Sequence, residues 1–108
     1  MNNYEHTVII RNDASKKQIQ DSAQKYEGII TKNSGKIVKI EKWGSLNLAN
    51  TINKNRKGFY IHYKFEGEGK IIEELETAER IDNLLLRFLT VRVKKFDLEN
   101  NYFEIKEE

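Results

Sequence analysis

Residues 35–65 read GKIVKIEKWGSLNLANTINKNRKGFYIHYKF. Apolar residues fall at every second position over long runs: Val38 and Ile40, then Leu46, Leu48 and Ile52, then Phe59, Ile61, Tyr63 and Phe65. A period of two marks a strand with one buried face. Between the two arms lies Asn53-Lys54-Asn55-Arg56-Lys57-Gly58, a polar segment that ends in glycine and suits a hairpin turn. The stretch therefore predicts one long antiparallel hairpin with a basic tip, and Trp43-Gly44 stands in its first arm.

Upstream, Tyr4 to Arg11 is rich in β-branched residues with apolar groups on both faces, which predicts a central strand. Asn12-Asp13-Ala14 breaks it. Ser15 stands three residues before Gln18, the capping-box spacing that opens a helix. Ile19, Ala23, Tyr26 and Ile30 then share one helical stripe, with Lys, Gln and Asp opposite. Asn33-Ser34-Gly35 suits the end of that helix. Downstream of the hairpin, Glu66-Gly67-Glu68-Gly69 is a turn. Ile71, Ile72, Leu75 and Ala78 predict a second amphipathic helix whose outer, acidic face carries Glu73, Glu74, Glu76 and Glu79. Leu84 to Phe96 closes the order as a strand, with Leu89, Val91 and Val93 alternating with Thr90, Arg92 and Lys94. The sum is β-α-β-β-α-β, an α+β, ferredoxin-like plan: a four-stranded antiparallel sheet with two helices on one face. Residues 1–96 form the domain and 97–108 a C-terminal tail.

The totals exclude more than they assign. A chain of 108 residues builds one domain. It has 19 basic and 17 acidic residues, so its formal charge of +2 matters less than how the charge is distributed. Without cysteine there is no disulfide framework and no thiolate metal site. No apolar run approaches the roughly 18 residues of a membrane span, and the N-terminus has no signal-peptide pattern.

The basic residues segregate. Lys54, Arg56 and Lys57 sit at the hairpin tip, while Arg87, Arg92, Lys94 and Lys95 follow the last strand with no acid between Leu84 and Phe96. A basic edge of this kind suits a polyanion, although lysine and arginine also serve to guard a strand edge. If Phe59, Ile61, Tyr63 and Phe65 face the core, Tyr60, His62 and Lys64 face away, and Arg92 and Lys94 are expected on that same outer face. Lys57-Gly58-Phe59-Tyr60 matches only the opening of an RNA-recognition signature. His6 and His62 are candidates for neighbours across paired strands, but no nucleophile, phosphate loop or metal-ligand spacing joins them. No enzyme, cofactor, metal or small-molecule substrate is expected. In the tail, Leu98, Tyr102 and Phe103 either fold back on the domain or dock on a partner protein.

With the elements placed, the chain resembles the bacterial-type small-subunit ribosomal protein six family. The resemblance is carried by Tyr4-Glu5, Glu41-x-Trp43-Gly44, Leu48-Ala49, Ile52-x-Lys54, Gly58-x-Tyr60, Glu74-Leu75-Glu76, Arg80-Ile81-Asp82 and the run from Leu86 to Arg92. It implies a non-catalytic protein of the cytoplasmic ribosome, an organellar ribosome being the other possible setting. Such a protein binds central-domain small-subunit ribosomal RNA as a heterodimer with small-subunit ribosomal protein eighteen. Leu98, Tyr102 and Phe103 are the partner-binding residues implied. The family often has Arg, Tyr and Pro where this chain has Leu46, Asn50 and Thr51, and Arg where it has Asn2. RNA contact is therefore expected at Lys54, Arg56, Lys57, Arg87, Arg92 and Lys94. The alternative is a ferredoxin-like homodimerisation module that pairs through its free sheet face and binds no RNA.

Overall fold

The computed structural model describes residues 2–52 and 55–96. Four strands, β1 (Asn2–Arg11), β2 (Lys36–Ile52), β3 (Asn55–Gly67) and β4 (Leu85–Val93), alternate with two helices, α1 (Lys16–Lys32) and α2 (Gly69–Arg80). The sheet runs β2-β3-β1-β4 and every pairing is antiparallel. The ferredoxin-like expectation is met, and Tyr4–Arg11 does occupy a central strand.

Both helices pack on one face. Ser15 accepts from the Gln18 backbone while Gln18 returns the bond to Ser15, so two otherwise orphaned donors at the start of α1 are satisfied. Ala23, Tyr26 and Ile30 of α1 and Ile71 and Leu75 of α2 join Tyr4, Val8 and Ile10 of β1 and Ile61, Tyr63 and Phe65 of β3 in one buried cluster. The Tyr63 hydroxyl donates to the Ala23 carbonyl, so its polar end is satisfied inside that cluster.

The hairpin differs in detail from its sequence reading. Strand β3 already begins at Asn55, so Arg56, Lys57 and Gly58 belong to a strand and not to the turn. Lys54 lies outside the described residues. Gly58 faces Arg11 on one side and Leu46 on the other, and a Cβ there would stand 2.4 Å from Ile9 Cγ2. Ile9 is held in a paired strand and can yield little. Gly58→Ala is expected to cost about 1–3 kcal/mol, read as a lower urea midpoint with an unchanged m-value.

The β2–β3 register shifts at three places, the last of them between Asn47 and Ile52. The register skips Val38 and again Trp43, and the second bulge ends in Gly44 at φ +84°, a left-handed conformation that a side chain disfavours. The extra residue lets Glu41, Trp43 and Gly44 all lie on the face turned away from the helices, which we call the distal face.

A shift in the β1–β4 register overturns an expectation. The β1–β4 register passes from Ile9–Arg87 to Ile10–Leu85 and so skips Leu86. Beyond it, Phe88, Thr90 and Arg92 stand opposite Val8, His6 and Tyr4 on the helix side. Arg87, Leu89 and Val91 stand opposite Ile9, Thr7 and Glu5 on the distal face. Arg92 therefore does not share a face with Tyr60, His62 and Lys64. The exposed apolar residues of β4 are Leu89 (61 %) and Val91 (48 %).

Glu79 is a further correction. It does not join the acidic outer face of α2 but is 2 % exposed, with Oε2 accepting from His6 Nε2. His6 in turn shares a hydrogen bond between Nδ1 and the Thr90 hydroxyl. Burial pushes the Glu79 carboxyl above its ordinary range, outweighing the His6 contact that pulls the other way.

Candidate nucleic-acid interface

The distal face carries most of the chain's unusual chemistry. His6 and His62 are not neighbours: His6 lies under α2, whereas His62 stands opposite Thr7 and Glu41 on the distal face. His62 Nε2 donates to Glu5 Oε1 at 2.8 Å. Burial holds the imidazole below its ordinary pKa, more strongly than Glu5 raises it. The neutral ring then donates from Nε2, and its Nδ1 accepts from the Thr7 hydroxyl at 2.7 Å.

Beside this triad Lys64 Nζ lies 2.8 Å from Glu41 Oε2, with Lys39 Nζ at 3.9 Å from the same oxygen. Trp43 Nε1 donates to Glu41 Oε1 at 2.9 Å. Burial pushes the Glu41 carboxyl up, but the bonds from Lys64 and Trp43 and the two lysine charges outweigh it and leave the pKa below the ordinary range. The Trp43 ring stacks on His62 (centroids 4.9 Å apart) and more distantly on Tyr60 (6.2 Å). Residue alternation alone predicts the facing of Tyr60, His62 and Lys64, but not that His62 and Lys64 would be buried there.

His62 makes stability depend on pH. In the unfolded chain it takes up a proton near 6.5; in the fold its pKa is lower. Between the two values the unfolded state binds more protons, so stability falls as pH drops below 6.5. Glu41 acts in the same direction below 4.5, where its folded carboxylate still resists protonation. Glu79, whose buried carboxyl is raised and so protonates first in the fold, acts the other way, and the His62 contribution is therefore read by difference: the urea midpoint of His62→Gln, which still offers Glu5 a donor, should change less unfavourably between pH 7 and pH 5 than that of the native chain.

Five of the six cations expected at RNA are among the described residues, and the structure divides them into two groups. Arg56 and Lys57 lie just beyond Gly58, at the end of the sheet where β1 finishes, and Arg87 is near them in the row Tyr60–Ile9–Arg87. Arg92 and Lys94 lie at the other end, beside Tyr4 and Asn3; the Asn3 side chain donates to the Lys94 carbonyl. Arg87 and Arg92, the nearest members of the two groups, are five residues apart on β4, about 17 Å at about 3.3 Å per residue, and Arg56 and Lys57 lie farther from Arg92. Arg56, Lys57, Arg87, Arg92 and Lys94 are all exposed, and none is in an ion pair with a described residue. Arg11, by contrast, is tied to Asp13 and Lys64 to Glu41. Leu98, Tyr102 and Phe103 lie outside the described residues. Among the described residues no three His, Asp or Glu side chains gather as a metal site.

A ferredoxin-like sheet with a helix-covered face, a polar and aromatic distal face and cations at both ends defines a small α+β binding protein. Its relatives specify which. The family described as "Ribosomal protein S6" matches residues 3–92, and the chain belongs to that family. It is 55 % identical over 108 residues to "Small ribosomal subunit protein bS6" of Pelagibacter ubique, covering all of this chain and 89 % of that one. With the protein of the same name from Caulobacter vibrioides it shares 41 % over 96 residues, 89 % of this chain and 76 % of the relative. The Rhodopseudomonas palustris relative is 37 % identical over 94 residues, but those cover only 60 % of its length. The crystal structure of 30S ribosomal protein S6 from Thermotoga maritima superposes with a TM-score of 0.81 at 25 % identity, covering 98 % of this chain and 92 % of that one. The chain is thus a structural constituent of the small ribosomal subunit and not an enzyme. Its place is the ribosome, in the cytoplasm of bacteria. Membership of this family favours the ribosomal reading over the homodimerisation module.

Proposed function

We propose that this chain binds central-domain small-subunit ribosomal RNA through phosphate contacts, as a heterodimer with small-subunit ribosomal protein eighteen. The observation that carries the RNA reading is the set of exposed cations uncommitted to any described acid: Arg56, Lys57 and Arg87 at one end of the sheet, Arg92 and Lys94 at the other. Lys54 extends the first group in sequence. Lysine and arginine arranged in this way position a backbone and do not read bases. The partner reading rests on the family resemblance and on Leu98, Tyr102 and Phe103, which with Ile105 are the large apolar groups of a tail that is polar elsewhere. No membrane, cofactor or small-molecule substrate enters this reading.

The test is recovery of the chain, tagged at its N-terminus, from its native lysate with and without RNase. Small-subunit RNA and a small basic ribosomal protein are expected, the protein remaining after RNase. Recovery of this chain alone in both samples would refute both contacts.

A further inference from the structure

The two helices cover one face of the sheet and have an outer side of their own, opposite the distal face. Where α1 and α2 lie alongside each other they leave a cleft of about 600 Å³. Its floor is Ile29 and Ala78, which pack against the core, and Ile81, which is 79 % exposed. A lone exposed isoleucine is ordinary on a protein surface; this one extends an apolar floor past the end of α2. The Asn33 side chain donates to Glu74, and Tyr26, two turns earlier on α1, donates to Asp82 beyond the end of α2. The helices are therefore antiparallel, and the charges of the cleft fall in a definite order. Lys32, in the last turn of α1, and Lys70, in the first turn of α2, stand at one end. Glu73 and Glu74 follow one turn along α2, and Ile81 closes the other end. Lys70 has the helical spacing to pair with either glutamate, yet Lys32, Lys70 and Glu73 are exposed and in no ion pair with a described residue. Gly28 stands one turn before Lys32 on the same stripe of α1. It is exposed, and a Cβ there would meet nothing within 4 Å. Glycine inside a helix destabilises it relative to alanine, and it serves where another molecule comes close to the backbone. No described residue comes that close to Gly28.

We propose that this interhelical cleft docks an amphipathic helix of a partner protein. That helix lays two apolar side chains on Ile29, Ala78 and Ile81, sets a base against Glu73 and Glu74, and places an acid between Lys32 and Lys70. A groove between two helices takes the ridge of a third. Helices use their backbone bonds internally, so neither wall offers an extended strand an edge to pair with. The charges disfavour RNA, because two carboxylates stand in the cleft and none of its described lining residues is an aromatic ring on which a base could stack. They disfavour a second copy of this chain as well. A two-fold pairing of the cleft on itself would bring Glu73 and Glu74, near its middle, against their own counterparts. The inference goes beyond the RNA reading and does not rest on it. The cleft lies on the opposite side of the molecule from the distal face, so occupying one leaves the other open.

The test puts the photo-reactive residue p-benzoylphenylalanine in place of Ile81 in the full-length chain, in its native cell, and maps the cross-linked product by mass spectrometry. Ile81 is exposed, so the fold tolerates the probe. The expected product is a segment of another protein with apolar residues at i and i+3 or i+4 and with an acid and a base in the order of the cleft. A synthetic peptide of that segment should bind the isolated full-length chain. Lys32→Glu/Lys70→Glu and, separately, Glu73→Lys should each weaken its binding by about tenfold or more, because each sets like charges against each other. Gly28→Leu should weaken it too, while raising the urea midpoint of the free chain. Far-ultraviolet circular dichroism should stay native in all three variants. An adduct with RNA or with a second copy, a segment without that pattern, no adduct at all, or peptide binding that neither charge reversal moves would overturn the proposal.

Discussion

Lys64→Met will lower stability by about 3 kcal/mol, near the bottom of the roughly 3–5 kcal/mol seen when one partner of a buried ion pair is removed. The cost comes from what remains. Glu41 is 3 % exposed and would keep its carboxylate without the ammonium 2.8 Å away. The Trp43 Nε1–H and the more distant Lys39 still hold it, which is why the lower bound applies. The double variant Lys64→Met/Glu41→Leu should recover most of the loss, because two apolar groups of similar volume need neither charge solvated. The pH dependence has a definite sign. Without Lys64 the Glu41 carboxyl protonates more readily, so the deficit against the native chain should shrink as pH falls through 4.5. Urea titrations of the three proteins at pH 7 and pH 4 would check this. A single variant as stable as the native chain would mean that the pair contributes nothing.

Much of the fold is legible in the sequence because local and long-range signals agree. The Ser15–Gln18 box and the Ile19, Ala23, Tyr26, Ile30 stripe both define α1, and the alternation of Phe59 to Phe65 sets the inner face of β3. The departures share a physical cause: residue type suggests one facing and phase dictates another. Glu79 continues the Ile71–Leu75 stripe at a spacing of four, so its phase points inward and only its charge suggests otherwise. His6 stands in phase with Tyr4, Val8 and Ile10 and so needs a buried polar partner, which Glu79 and Thr90 provide. That demand also turns Thr90 inward and hence Leu89 and Val91 outward, reversing the expected facing of β4. The bulge at Leu86 that reconciles this phase with the buried start of the strand has no glycine to announce it. At the candidate site, sequence locates the cations but not their separation, because that depends on which end of an antiparallel strand each one occupies.

That separation makes charge reversal at the two ends a test with a large and additive effect. Removing one phosphate contact lowers the slope of log affinity against log salt by about 0.7–0.9. Arg56→Glu/Lys57→Glu/Arg87→Glu removes three contacts at the hairpin end and should reduce the slope by about 2–3. Arg92→Glu/Lys94→Glu removes two at the other end and should reduce it by about 1.5–2. Even the nearest pair across the groups, Arg87 and Arg92, is about 17 Å apart along β4, beyond the roughly 7–10 Å within which sites couple, so the five-residue variant should show the sum of the two reductions within error. Folding is not at stake, since all five side chains are exposed and outside every ion pair between described residues. The assay is filter binding to a central-domain transcript between about 50 and 200 mM salt, with the partner protein present, over the range in which phosphate contacts dominate. If one variant leaves the slope unchanged, that end of the sheet does not touch RNA; if both do, the phosphate-contact assignment is wrong and the partner protein carries the RNA affinity.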